Sequence, residues 1–466
     1  MKMNIFLWLL LVIEMGCHKS AGQPPFTPPK PPVVVSDTLP PQYGAPYSQV
    51  PDTKDVIMYE VNIRGFSPQH NLEGVVNRLD SIKSLGVNVI WLMPLYPVGK
   101  LHAVPPMGSP YSVQNYEAVN PDFGTLNDLR TLVSDAHEKG MAVMLDWVAD
   151  HTSWDNVWIS NKSWYQQDAA GNIISPPGQT WTDVAALNYN NTDMRQAMIS
   201  AMKYWILTAN VDGFRCDYVD GPPLDFWKQA MDSLQTMTPH HKLILLAETE
   251  TPTIFTAGFQ MEYAWNYYTA LKNVFGNGQS ASTLFSTNSS ENSTVPANSF
   301  MLRFTSNHDE DLDDNTPLAL FNSKQGSMAA FVLVSYMGGV PLVYDGQEVG
   351  DPVQIPIFDT STINWSANPD MVIAYKKLLN FRNTNDAVKD GSLVPFNNSD
   401  VVSFERISGA DTVLVLVNVR NTSVTYSLDA FLVNTTWKDA MNNDALVKLT
   451  DQVVLPGYAY WILETP

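Results

Sequence analysis

The chain has 466 residues, 45% of them hydrophobic, enough for a large α/β barrel and more than one ordinary compact domain requires. Its 47 acidic residues against 27 Lys and Arg give a formal net charge of −20. That balance excludes a binder of nucleic-acid phosphates and suits a protein that meets neutral ligands.

Lys2, the apolar run Ile5 to Ile13 and Gly16-Cys17 read as an export signal, too short to span a bilayer. A small residue before a cysteine resembles a bacterial lipoprotein signal over residues 1–17, with Cys17 as the lipidated first residue. Glu14 departs from that pattern, and an ordinary cleaved signal is the alternative. On this reading the protein is exported. It touches a membrane only through a lipid at Cys17, on the periplasmic or cell-surface side, or else it is secreted. Residues 18–50 are proline-rich and read as a semi-extended tether.

The body, 51–383, has a rhythm. Strand-like 56–66 precedes helical 72–86, and 87–94 is again a strand. Residues 125–140 read as a helix closed by Gly140, followed by strand 141–147. Helix 192–210 leads to strand 211–217, and helix 223–236 to strand 242–248. The pattern is less clear up to 300–309 and 340–346. Nearly all-apolar strands alternating with amphipathic helices indicate a parallel sheet covered by helices. Eight repeats fit an α/β fold of the (β/α)8 TIM-barrel type. A doubly wound open sheet is the competitor, weakened because no glycine-rich phosphate loop follows the first strand.

Residues 152–190 are too long for an ordinary loop after the third strand. They carry Trp154, Trp158, Trp164, Tyr165 and Trp181, and read as an inserted domain walling a cleft or as a locally packed loop. From 384 to 466, short strand candidates at 401–407, 412–419, 423–431 and 453–463 indicate a small antiparallel β-sandwich.

Several strands end in acid: Asp146, Asp217, Glu248 and Asp309. Each alone could cap the next helix. Together they would converge on the barrel mouth, where facing carboxylates shift one another's pKa values apart. Paired carboxylates with an arginine, Arg215, suggest glycoside hydrolysis. Arg215 is expected to keep Asp217 ionised, and Glu248 needs a raised pKa to hold its proton. A metal-dependent hydrolase is the alternative chemistry, but among eight histidines only His151 and His308 stand at strand ends. Cys216, between Arg215 and Asp217, reads as a small buried filler.

These segments carry a resemblance. DWVADH (146–151), GFRCD (213–217), LLAE (245–248) and FTSNHD (304–309) occur in the order of the motifs of the α-amylase family of glycoside hydrolases (family 13). SPYSVQNYEAVNPDFGT (109–125), ALNYNN (186–191) and GVPLVYDGQEVG (339–350) resemble its accessory segments. The resemblance implies Asp217 as nucleophile, Glu248 as acid and then base, and Asp309 as stabiliser of the distorted sugar. It implies substrate contacts from Tyr111, His151 and His308, with Arg215 orienting Asp217 and Asp146 supporting from behind. It further implies an α-glucan substrate, cleavage of α-1,4 bonds with retention, and the inserted and C-terminal domains. A transglycosylase or maltose-isomerising enzyme is the nearest rival. A non-catalytic glycan-binding protein is a second, which typically lacks the acids present here.

Four departures stand out. Asp150 replaces the Asn that binds calcium in many members. Tyr218, Val219, Asp220 and Gly221 follow the nucleophile where a Lys-His pair is common. Ser109-Pro110 replaces His-Gly, and FSPQHNLEG lacks an Asp-rich calcium loop. No cofactor or metal ligand is therefore expected: calcium remains possible, but its usual positions are altered.

Overall fold

The computed structural model describes residues 39–237 and 241–466. The expected signal, Cys17 and most of the tether lie outside the described residues. Eight parallel strands close into a barrel: β1 (Met58–Val61), β2 (Val89–Leu92), β3 (Ala142–Val148), β4 (Gly213–Asp217), β5 (Ile244–Ala247), β6 (Met261–Tyr263), β7 (Phe300–Arg303) and β8 (Val340–Tyr344). Closure is direct, with Met58 of β1 opposite Leu342 of β8.

The strands are apolar because both faces are buried. One set, including Met58, Val89, Met144, Leu246 and Leu342, fills the barrel interior. The alternate set, including Tyr59, Ile90, Val143, Phe214 and Cys216, packs under the helix ring. Cys216 thus faces away from the mouth and is a buried filler. Strand parity then places the acids. Two residues on from Met144 and Leu246, on the same inward face, come Asp146 and Glu248, and two on from Met58 comes Glu60. On β4 the outward Phe214 and Cys216 leave Arg215 and Asp217 inward. The strand begins with glycine because β5 passes close by: a Cβ at Gly213 would lie 1.9 Å from the Ile244 carbonyl oxygen.

Helices follow their local signals. In α1 (Leu126–Glu138) the Thr125 and Asp128 side chains cap each other's backbone N–H groups, stabilising the start by about 1 kcal/mol. The Asn191 side chain caps α2 (Thr192–Ala209), which ends at Asn210 with φ 59°. The single helix expected over 72–86 is instead two, Leu72–Val76 and Leu79–Ser84. Arg78 leaves the helical region at the break, and its guanidinium lies 3.7 Å from the Trp365 ring centroid. Strand β6 carries little sequence signal, being three residues long with Glu262 at its centre.

After β3 the chain forms an insert. His151–Ser153 pairs antiparallel with Val184–Ala186. Trp158, Trp164 and Tyr165 are buried in its packing, whereas Trp181 lines the barrel cleft.

The C-terminal part is antiparallel. Strands β9 (Ser392–Phe396), β10 (Val401–Ser408), β11 (Asp411–Asn418), β13 (Thr436–Asp439), β14 (Ala445–Lys448) and β16 (Tyr460–Glu464) make a six-stranded sheet ordered β9-β10-β11-β16-β13-β14. β12 (Val424–Ser427) and β15 (Gln452–Leu455) make a second, two-stranded sheet. Tyr426 and Leu455 of the second sheet share a core with Leu414, Trp437 and Leu463 of the first. The single strand expected at 453–463 is split between the sheets. Pro456 cannot continue a ladder, and Tyr458 adopts φ 58°. No helix among the described residues is long and apolar enough to cross a membrane.

Candidate active site

The acids that strand parity aims inward meet one guanidinium. Arg215 is fully buried, with Nη1 2.7 Å from Asp217 Oδ1 and 3.0 Å from Asp146 Oδ1. Its Nη2 lies 2.6 Å from Glu248 Oε1, and its Nε donates to the Tyr263 hydroxyl at 3.1 Å. A single fork therefore links the ends of β3, β4 and β5. The second Glu248 oxygen accepts the Tyr218 backbone N–H at 2.8 Å. Tyr218 reaches that position with φ 38°.

A second group gathers around His308. Its Nδ1 lies 2.5 Å from Glu60 Oε1, and its Nε2 faces the Tyr111 hydroxyl at 2.6 Å and Asp309 Oδ2 at 3.1 Å. The Tyr111 hydroxyl donates onward to Asp146 Oδ2 at 3.1 Å, which also accepts the Trp91 indole N–H at 3.1 Å. His151 lies 2.9 Å from Asp150 through Nδ1 and 3.2 Å from the Tyr111 carbonyl through Nε2.

Of the predicted site residues, Tyr111, His151, Asp217, Glu248, His308 and Asp309 line one cleft of about 720 Å³, and Arg215 lies buried beneath Asp217. The structure brings all seven together. Trp181 from the insert joins the wall, its ring edge-on to Tyr218 at 5.4 Å between centroids. Sequence reasoning missed Glu60, Trp91 and Tyr263. A charge inside the otherwise apolar strand MYEV was the signal that could have found Glu60.

Burial dominates the electrostatics. It pushes Asp217 up to about 6, with Asp146 adding to the rise and Arg215 opposing it. Arg215 thus acts in the expected direction, favouring the ionised form of Asp217, while desolvation outweighs it in the net shift. Burial also lifts Glu248, to about 7, with Asp217 and Asp309 adding to the rise. Asp309 goes the other way. Burial would raise it, but the His308 imidazolium and Arg215 hold it below the ordinary carboxylate range. For His308 itself burial is outweighed by Asp309 and Glu60, which keep its ring protonated well above the usual imidazole range. Glu248 thus stands above Asp217, an order suited to one carboxylate and one carboxylic acid acting together.

Asp150 is paired with the His151 ring, whose pKa it raises against the effect of burial. Among the described residues no three His, Cys, Asp or Glu side chains converge as ligands would. Gly221 packs against Asp150, where a Cβ would lie 2.7 Å from the aspartate's own Cβ, so the histidine common in the family has no room there.

Comparison with known proteins agrees with this geometry. A family model described as "Alpha amylase, catalytic domain" matches residues 58–172 and 178–368, together more than half of the chain. Alpha-amylase 2 of Dictyoglomus thermophilum is 25% identical over 398 residues, covering 80% of this chain and 67% of that protein. The alpha-amylase MalA of Haloarcula japonica is 26% identical, over 83% of this chain and 58% of its own length. The chain thus spans only about three-fifths to two-thirds of these two relatives. Among solved structures, a noncanonic maltogenic alpha-amylase from Thermotoga neapolitana superposes with a TM-score of 0.80 at 26% identity, over 89% of this chain and 99% of that one. An alpha-amylase from Lactobacillus plantarum shares the fold at a TM-score of 0.81 and 24% identity, over 89% and 100%. With that family model matched over more than half of its length, the chain belongs to the alpha-amylase family of glycoside hydrolases.

Proposed function

We propose that the protein is a retaining α-glucan hydrolase cleaving α-1,4 bonds in starch-like polymers or maltooligosaccharides. The observation that carries this reading is the guanidinium of Arg215 bridging Asp217 and Glu248, whose pKa values stand at about 6 and about 7. In the first step an Asp217 oxygen forms a bond to the anomeric carbon as the glycosidic C–O bond breaks, and the Glu248 proton passes to the departing oxygen. In the second step Glu248, now a carboxylate, takes a proton from water. The water oxygen attacks the anomeric carbon and displaces Asp217, restoring both groups. Asp309 and the other carboxylates stabilise the positive charge that develops on the sugar ring in the transition state of each step. His308, His151 and Tyr111 line the space for that sugar. No step is assigned to a metal.

Glu248 contacts Tyr218, and Asp220 accepts the Thr249 hydroxyl at 2.7 Å, so these residues lie on the leaving-group side. Trp181 and Tyr218 form an aromatic wall there. A sugar held on it would compete with water in the second step, which supports transglycosylation as the second reading. For location, we propose export with lipid attachment at Cys17, which labelling with radioactive palmitate and a Cys17→Ser control would test.

The test of activity is product analysis on soluble starch and maltooligosaccharides beside Asp217→Asn. Short α-configured sugars from the wild type and a loss of at least about a thousandfold in the variant support the reading. Longer products from maltooligosaccharides indicate transfer. A variant as active as the wild type overturns the assignment of Asp217.

A further inference from the structure

Glu60 is a fully buried carboxylate behind His308, and the reaction as written does not use it. It comes from β1, the strand farthest in sequence from His308, and it meets His308 Nδ1 at 2.5 Å. Its second oxygen has no hydrogen-bond partner. Around the same ring stand Trp91 edge-on at 5.8 Å, Tyr111 stacked at 5.4 Å and Asp309 at 3.1 Å. Asp146 is coupled to the ring electrostatically, and Arg215, Asp311, Asp345, Tyr263 and Tyr344 to Glu60.

These contacts form a directed chain. A carboxylate can only accept, so Glu60 fixes a proton on His308 Nδ1. The ring's other nitrogen, Nε2, faces Tyr111 and Asp309, and Asp309 can only accept. With both nitrogens protonated, Nε2–H points to the Tyr111 oxygen, and the Tyr111 proton is free to go to Asp146. Asp146 in turn accepts from Arg215, the group that holds Asp217 and Glu248. Reversing any member would set two donors or two acceptors face to face.

We infer that Glu60 is a positioning residue: it holds His308 as a doubly protonated donor and thereby sets the polarity of the chain His308–Tyr111–Asp146–Arg215 beneath the reacting sugar. As an imidazolium, His308 donates through Nε2 to Tyr111 and opposes the charge of Asp309. As a neutral ring with its one proton held on Nδ1 by Glu60, it could do neither. The kinetic side of this inference rests on the proposed hydrolysis; the protonation state of the ring does not.

Glu60→Gln keeps the shape and removes the charge. The test is the ring ¹⁵N shifts of His308 in the full chain, assigned with His308→Gln, across about pH 5.5 to 8.5. Alongside it, kcat/KM on maltooligosaccharides is measured at each pH. In the wild type both ring nitrogens stay protonated at about pH 7.5. In Glu60→Gln one proton is lost between about pH 6 and 8, and kcat/KM falls about 10- to 100-fold at the alkaline end while approaching wild type at the acid end. A purely structural role would give a loss that does not change with pH. Glu60→Asp, which retains the charge, keeps the wild-type pH dependence. A neutral His308 in the wild type at about pH 7.5 overturns the inference, and that measurement needs no variant to fold. An unchanged titration of the ring in Glu60→Gln overturns it too. If the wild type turns over no glucan, the hydrolase reading fails while the ring measurement still decides the role of Glu60.

Discussion

Replacing Arg215 by Gln removes a cation that touches three carboxylates. Asp217, Glu248 and Asp146 lie 2.7, 2.6 and 3.0 Å from its terminal nitrogens, and it is fully buried. Deleting one partner of a buried ion pair costs about 3–5 kcal/mol, so the variant should unfold at measurably lower denaturant. The chemical effect is separate. Asp217 stands at about 6, so at neutral pH it is mostly ionised. Loss of an adjacent arginine raises a carboxylate by roughly 1–3 units; at about 8, roughly a tenth of Asp217 would be ionised at neutral pH. Glu248 rises with it, so protonated acid remains plentiful and ionised nucleophile becomes scarce. Both limbs of the kcat/KM profile therefore move to higher pH, and activity at neutral pH drops about tenfold from ionisation alone. The assay is kcat/KM on maltooligosaccharides from acid to alkaline pH, with folding checked at each point. An unchanged optimum in a folded variant would refute the claim that Arg215 offsets the burial of these acids.

The wild type should show a narrow bell, with limbs near the values of about 6 for Asp217 and about 7 for Glu248, and a broad plateau would contradict those shifts. Asp217 has a raised folded pKa, so its ionisation opposes folding: the cost is absent below the unfolded value of 3.8 and grows as pH rises toward about 6. Asp217→Asn should accordingly be more stable than wild type by about 1–2 kcal/mol at neutral pH, with the gain vanishing near pH 4 by denaturant melts, since Arg215 keeps Asp146 and Glu248 as partners. Trp181→Ala should raise KM for maltooligosaccharides about 3- to 10-fold with little change in the bell, by loss of a stacking face; an equal fall in kcat alone would place the ring elsewhere in the cycle.

The sequence by itself determined the barrel, because strands buried on both faces must be apolar and such runs alternate with amphipathic helices. It also determined which acids share a mouth. Asp146, Asp217 and Glu248 stand at matching ends of parallel strands, and parity alone turns them inward. Local signals did not reach the short β6, whose pairing comes from its neighbours, or the break at Asn77-Arg78, where a contact with Trp365 overrides helical spacing. They also failed to divide 453–463 between two sheets. Only the closed barrel decided that Glu60 of the first strand meets His308 after the seventh, because barrel closure joins residues that no local spacing relates. Tertiary structure also decided the ionisation of the site. Arg215 beside Asp217 is visible in the sequence as two residues, but how deeply both are buried is not. That depth reverses the shift a nearby arginine would give in water.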